Sequence, residues 1–159
     1  MIINGRYSIL IVLFLFLNTP SFSQISDLIY ISADKVEVKA DALTEGTVHV
    51  MIEEGYHIQS NVIVDDYIIP TKLDIKGNEF IQLIEVEYPK DKEFELKGSE
   101  IKLMVFDGDI DIKYKLKANS GDSQGEHNLE AILHYQACDD KSCFAPRSIE
   151  FLIPAEVIN

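Results

Sequence analysis

The chain has 159 residues, enough for one ordinary domain or two very small ones. Acidic residues outnumber basic ones by 27 to 14, and the formal net charge is −13 at pH 7. A charge of this sign disfavours binding to nucleic acid and to anionic membrane surfaces. Its simplest consequence is solubility, and a steering field for a basic partner is the alternative.

The first predicted element is an export signal. Arg6 supplies a positive charge, residues 9–17 are an uninterrupted apolar run, and Ser21 and Ser23 supply the small residues of a cleavage site. The run is too short for a membrane-spanning helix, which needs about 20 residues. We therefore expect a signal peptide over residues 1–23, a mature chain without a membrane span, and a periplasmic or secreted location.

The rest of the chain, residues 24–159, has the pattern of β-strands and is expected to form one domain. Apolar and polar residues alternate, which places one face of each strand against a core and the other in water. The alternating runs are residues 36–38, 48–52, 72–76, 110–116, 129–135 and 149–153. Many short strands without helices between them predict an all-β domain, an immunoglobulin-like β-sandwich.

Turn-forming residues separate these strands. Short segments that combine glycine with charged or polar neighbours are typical of turns. The predicted turns contain Gly46, Gly55, Gly77, Gly98 and Gly108. A longer loop is expected before the fifth run, where serine, glycine, asparagine and aspartate cluster in residues 119–125.

The only two cysteines, Cys138 and Cys143, lie between two predicted strands, as at the ends of a hairpin. The four residues between them are polar, which is expected to keep the sulfur atoms within reach of another protein. Two cysteines in an exported chain are more often paired than free. The pair is either a structural disulfide, the commoner case, or a redox pair. Closing so short a loop stabilises a fold by only about 2 kcal/mol.

A metal site is the third alternative for this region. His127, His134, Asp139 and Asp140 lie near the cysteines in sequence. The cysteine and histidine spacings of common zinc sites are nevertheless absent from the sequence. We therefore expect neither a metal ion nor another cofactor.

The segment from Tyr135 to Pro146 resembles the active-site segment of the N-terminal periplasmic domain of DsbD, the thiol:disulfide interchange protein. Its sequence is Tyr-Gln-Ala-Cys-Asp-Asp-Lys-Ser-Cys-Phe-Ala-Pro. Weaker matches at residues 54–60, 69–73 and 88–101 extend the resemblance over most of the chain. It implies an immunoglobulin-like sandwich that passes electrons by thiol–disulfide exchange. A thioredoxin-like domain would reduce it, and it would then reduce oxidised periplasmic proteins.

The same resemblance implies roles for individual residues. Cys143 would form the mixed disulfide with partner proteins and Cys138 would resolve it, with Phe144 and Pro146 flanking the pair on the partner-binding side. In this family a loop aromatic caps the disulfide, and Phe94 is the candidate here. The alternative for Phe94 is a core phenylalanine on a strand edge.

The sequence also departs from the family pattern. It has His57 and Gln59 where the family has tyrosines near the site. His57, with an unperturbed pKa of about 6.5, would be able to accept a proton during exchange, but a solvent-facing strand histidine is the simpler expectation.

The family continues into membrane-spanning and thioredoxin-like domains, so here the donor is expected to be the thioredoxin-like domain of a separate membrane electron-transfer protein. The alternative function is a non-enzymatic, secreted immunoglobulin-like binding module with a structural disulfide.

Overall fold

The structure is a computed structural model that describes residues 28–63, 67–98, 102–119 and 124–158. The predicted signal peptide lies outside these ranges and stays a prediction. The regular elements in the described ranges are β-strands. In those same ranges we find no helix of the length and apolar character that crossing a membrane requires.

Twelve strands are present in the described ranges. In order, they are β1 (Ile29–Ala33), β2 (Val36–Lys39), β3 (Leu43–Ile52), β4 (His57–Gln59), β5 (Lys72–Lys76), β6 (Ile81–Glu87), β7 (Lys92–Glu95), β8 (Lys102–Phe106), β9 (Asp109–Ala118), β10 (Gly125–Tyr135), β11 (Ala137–Cys138) and β12 (Arg147–Ile158).

Two of the sheets form an immunoglobulin-like β-sandwich, which confirms the predicted fold class. The first sheet has the order β1-β3-β9-β6 and the second the order β2-β12-β10-β5. Neighbouring strands are antiparallel except β2 and β12, which are parallel. The inward side chains of both sheets belong to one apolar core. Each of the six predicted alternating runs lies within one of these strands.

Alternation determines which face of each strand is buried. In β9, Ile112, Tyr114 and Leu116 are buried, whereas Asp111 and Lys113, on the opposite face, are exposed. The apolar residues of β9 therefore contribute to the core while the charged residues remain hydrated, as the period of two predicts.

The predicted turn at Gly46 is wrong, because Gly46 lies inside β3 and pairs directly with Tyr114 of β9. A Cβ atom at this position would be 2.3 Å from the Tyr114 ring. Glycine is present because the buried ring lies over the backbone. By contrast, Gly55 and Gly108 lie in connections and have positive φ angles of 85° and 65°, as turn glycines do.

The third sheet, with the order β11-β4-β8-β7, positions the cysteines. Alternation along its strands separates two faces. One face packs into the main core through Ile58, Phe106 and Ala137. The opposite face, here called the site face, carries His57, Gln59, Phe94, Leu103, Val105 and Cys138.

Candidate functional site

The two cysteines are joined by a disulfide across a tight hairpin. Cys138 ends β11, and Cys143 pairs with it as an isolated antiparallel bridge, with 3.9 Å between the Cα atoms. The backbone N–H of Asp139 donates to the carbonyl of Ser142 at 2.9 Å and closes the hairpin. The predicted hairpin is therefore present, and its ends are held together by both main-chain and covalent bonds.

Charged side chains organise the hairpin tip. Oδ1 of Asp139 accepts hydrogen bonds from the backbone N–H groups of Lys141 at 2.8 Å and Ser142 at 2.7 Å. These bonds lower the pKa of the Asp139 carboxyl. The neighbouring Asp140 forms an ion pair with Lys97, which lowers the pKa of Asp140 as well. Both carboxylates of the tip are therefore charged, and Asp140 has Lys97 as its ion-pair partner.

The two sulfur atoms differ in accessibility. Cys138 is 0% exposed, because β11 pairs with β4 and the Cys138 side chain packs against Leu103 and Val105. Cys143 is only partly buried. The expectation that the polar loop leaves the sulfur atoms within reach is thus wrong for Cys138. An incoming thiolate can approach Cys143 alone.

A buried glutamine, for which the sequence indicated a position near the site but no role, contacts both sulfur atoms. Gln59 is 1% exposed, and its Nε2 lies 3.0 Å from Sγ of Cys138 and 3.6 Å from Sγ of Cys143. Its Oε1 has no hydrogen-bond partner among the residues that the structure describes. The available signal was its spacing of two from His57, which places both side chains on one strand face.

His57 is buried, so the expectation of a solvent-facing histidine is wrong. It pairs directly with Cys138, is 5% exposed, and its ring centroid lies 4.0 Å from that of Phe94. Its strand β4 lies inside the third sheet, between β11 and β8. Burial lowers the pKa of His57, so the ring is mostly neutral at about pH 7. Nε2 of His57 finds no hydrogen-bond partner within the described ranges.

Phe94 lies on β7, the edge strand of the third sheet, and not in a loop. It is partly buried and packs against the apolar cluster that contains Cys138 and that Cys143 also contacts. Phe94 is therefore a strand-edge phenylalanine that lies beside the cysteine pair, and its role as a cap stays a prediction.

Phe144 and Pro146, the first and third residues after the pair, are both exposed. Phe144 is 36% exposed, and its ring centroid lies 6.1 Å from that of Tyr56. Its carbonyl accepts a hydrogen bond from Nε2 of Gln136 at 3.1 Å. Pro146 is exposed in the segment between the hairpin and β12. Phe144 is thus one residue after Cys143, with its ring beside that of Tyr56.

The alternative of a metal site gains no support from this geometry. In the described part of the chain, no three His, Cys, Asp or Glu side chains are grouped to hold a metal ion. His134 instead contacts Ser148 through Nδ1 at 2.7 Å and Asp74 through Nε2 at 3.4 Å. Asp139 and Asp140 are engaged within the hairpin and by Lys97.

The fold and the site together define an immunoglobulin-like domain with a hairpin disulfide, one sulfur buried and the other accessible. The family model "Thiol:disulfide interchange protein DsbD, N-terminal" matches residues 30–155, and the chain belongs to this family. This confirms the resemblance found in the sequence. A disulfide within this family is consistent with thiol–disulfide exchange.

A solved structure has the same fold, and a second is reported for comparison. The chain is similar to the N-terminal periplasmic domain of ScsB from Proteus mirabilis, with a TM-score of 0.57 and 13% identity, over 82% of this chain and 47% of that chain. It therefore spans about half the length of the ScsB chain. The reduced DsbD N-terminal domain of Neisseria meningitidis matches with a TM-score of 0.49 and 17% identity, over 76% and 82% of the two chains. No curated protein matches the sequence.

Proposed function

We propose that this protein is a thiol–disulfide exchange domain that relays electrons from a thioredoxin-like donor to oxidised partner proteins through Cys138 and Cys143. The observation that carries the proposal is the asymmetry of the disulfide, with Cys138 buried and Cys143 accessible. Exchange needs one sulfur that a partner thiolate can attack and a second that stays close enough to resolve the mixed disulfide.

The proposed relay has two halves. A donor thiolate attacks Sγ of Cys143, the disulfide breaks, and its electron pair moves to Sγ of Cys138. A second donor thiol then displaces Cys143, which leaves the domain reduced and the donor oxidised. In the other half, the Cys143 thiolate attacks the disulfide of an oxidised partner, and Cys138 closes on Cys143 to release that partner reduced.

The partners and the location belong to the same proposal. The donor is the thioredoxin-like domain of a membrane electron-transfer protein, and the acceptors are oxidised proteins of the periplasm. The export signal over residues 1–23 and a single domain over residues 24–159 are part of it. Support comes from the family and from the similar ScsB domain, which is periplasmic.

A non-enzymatic binding module with a structural disulfide is the second candidate, and a specific observation favours it. Cys138 is one of three buried residues, with Leu103 and Val105, that form a small cluster apart from the main core. A disulfide in that position stabilises the packing of the third sheet whether or not it exchanges electrons.

The reduction potential of the disulfide separates the two functions. We expect a value between about −270 mV and about −180 mV, the range from thioredoxin to protein disulfide isomerase. Equilibration against glutathione and thioredoxin buffers, followed by alkylation and mass measurement, reads the potential directly. A value well below about −300 mV is typical of structural disulfides and would leave the binding module as the surviving candidate.

Phe94→Ala should speed the reduction of the disulfide by small thiols several-fold while the domain remains folded. Phe94 packs on the cysteine cluster from an edge strand, so its removal opens a path to the sulfur atoms. Phe80→Ala is the matched control, since Phe80 is also partly buried but packs on the main core. A loss of about 3 kcal/mol or more in unfolding free energy, with unchanged thiol reactivity, would instead make Phe94 a purely structural residue.

A further inference from the structure

Reduction of this disulfide creates a negative charge on a buried sulfur atom. When a thiolate attacks the accessible Cys143, the electron pair of the broken bond moves to Sγ of Cys138, which is 0% exposed. Water therefore cannot solvate the thiolate that forms. A buried anion without a hydrogen-bond donor or a countercharge is strongly disfavoured. Some group on the site face must stabilise it if the exchange is to proceed at a useful rate.

The titratable groups around Cys138 supply little of this stabilisation. His57, directly opposite on β4, is held neutral by burial. Asp139, the next residue, carries a negative charge that its backbone hydrogen bonds stabilise. Lys97 is engaged by Asp140, and Lys141 is exposed at the hairpin tip. From β8 the cysteine meets only the apolar side chains of the site face.

We infer that Gln59 is the hydrogen-bond donor that stabilises the departing Cys138 thiolate. Its Nε2 lies 3.0 Å from Sγ of Cys138 in the oxidised protein, so no movement is needed to reach the thiolate. A disulfide sulfur is a weak acceptor, whereas a thiolate is a strong one. The bond therefore strengthens as the disulfide breaks, and it favours the transition state over the ground state.

The Oε1 atom of Gln59 indicates that this side chain is not there to stabilise the fold. Oε1 is buried and, within the described ranges, has no hydrogen-bond partner. An unpartnered buried acceptor costs free energy that an apolar side chain of the same size would avoid. The presence of an amide here is therefore explained by its Nε2 atom, which lies next to the two sulfur atoms.

The backbone of Gln59 is held so that the amide is already in place. Its N–H donates to the carbonyl of Gln136 at 3.0 Å, and its carbonyl accepts a hydrogen bond from the Thr71 hydroxyl. Its strand β4 also pairs with β8, where Gln59 lies opposite Val105. Donors fixed before the reaction stabilise developing charge without a cost for reorganisation.

The step balances without any further reactant than the donor thiolate. The donor sulfur forms a bond to Sγ of Cys143 and is oxidised, while Sγ of Cys138 receives the electron pair and is reduced. No proton moves in this step, since Gln59 donates a hydrogen bond and keeps its proton. The inference rests on the proposed function, because it assigns a residue to the same exchange.

Gln59→Met tests the inference, because methionine matches glutamine in length but has no donor. We expect reduction of the oxidised domain by dithiothreitol to slow about tenfold, as for loss of one hydrogen bond to a charged group. In a Cys143→Ser background, the pKa of Cys138 should rise by about one unit, the same factor of ten. Thiolate absorbance across a pH series measures this pKa.

Gln136→Met is the matched control. Gln136 is also buried, but its side-chain amide bonds the backbone N–H of Ile69 and the carbonyl of Phe144. The Gln136→Met substitution should lower the melting temperature of the domain and leave the pKa of Cys138 unchanged. A Gln59→Met protein that keeps the wild-type reduction rate and Cys138 pKa would overturn the inference.

Gln59→Glu decides the matter if the methionine variant fails to fold. A protonated carboxyl group can donate to the sulfur, whereas a carboxylate repels a thiolate, so its reduction rate relative to wild type should fall as pH rises through the carboxyl pKa. A ratio that is independent of pH would contradict the inference. Dithiothreitol reduces any accessible disulfide, so this test stands even if no thioredoxin-like donor reacts, an outcome that would refute only the proposed function.

Discussion

Cys138→Ser should accumulate a mixed disulfide with a thioredoxin-like protein, whereas Cys143→Ser should trap almost none. In the first variant the accessible Cys143 remains, but the buried thiol that would resolve the mixed disulfide is gone. In the second variant the remaining Cys138 is enclosed by the third sheet and cannot be reached. The contrast between the variants should approach all or none, since it depends on access to one sulfur atom.

The measurement is non-reducing electrophoresis, with mass spectrometry of the product. Each variant is mixed with a thioredoxin-like protein that lacks its own resolving cysteine and whose remaining cysteine is held as a disulfide with thionitrobenzoate, so the thiolate of the variant displaces thionitrobenzoate and no further oxidant is needed. Unfolding each variant in denaturant before alkylation checks that its single thiol is intact and reactive. Equal trapping by both variants would show that the buried sulfur becomes accessible, which contradicts the assignment of Cys143 as the attacked atom. Trapping by neither would favour the structural disulfide.

Gly46→Val should destabilise the domain by about 3 kcal/mol or more, because a side chain at this position overlaps a buried aromatic ring. The added Cβ atom would lie 2.3 Å from the ring of Tyr114, directly opposite in β9. Neither side can yield easily, since Gly46 is inside a ten-residue strand and Tyr114 is among the largest fully buried side chains. Chemical denaturation measures the loss as a shift in midpoint.

Two variants of Tyr114 serve as controls for this prediction. Tyr114→Phe removes a buried hydroxyl that has no partner among the described residues, and it should be neutral or slightly stabilising. Burial raises the pKa of that hydroxyl to about 12, so it is uncharged in the folded protein. Tyr114→Ala should destabilise by itself, but Gly46→Val added to it should cost much less than in wild type. Full additivity of the two changes would show that ring overlap is not the cause.

The sequence by itself was sufficient for the fold class because one face of most strands is wet. In β3, β9, β10 and β12, apolar residues recur with a period of two. This pattern can be recognised in the sequence without knowing any tertiary contact. The turn predicted at Gly46 is wrong because glycine is locally typical of a turn, whereas here it makes room for the Tyr114 ring on the neighbouring strand.

The cysteine pairing was also available from the sequence, since Cys138 and Cys143 are five positions apart and flanked by strand patterns. Their surroundings were not. Strand β4 is three residues long and buried throughout, so it has no alternation by which to recognise it. The burial of His57 and of Cys138 follows from the pairing of β4 with β11, a contact between distant parts of the chain.

The sequence by itself therefore determined the local features of this protein. These are the period of the strands, the acidic charge, the pair of cysteines in a hairpin and the family motif. What only the tertiary structure decided is which sulfur is accessible and what touches it. Gln59 donates to Cys138 across a separation of 79 residues. No local pattern encodes such a contact, because it depends on how the third sheet brings strands from separate parts of the chain onto one face.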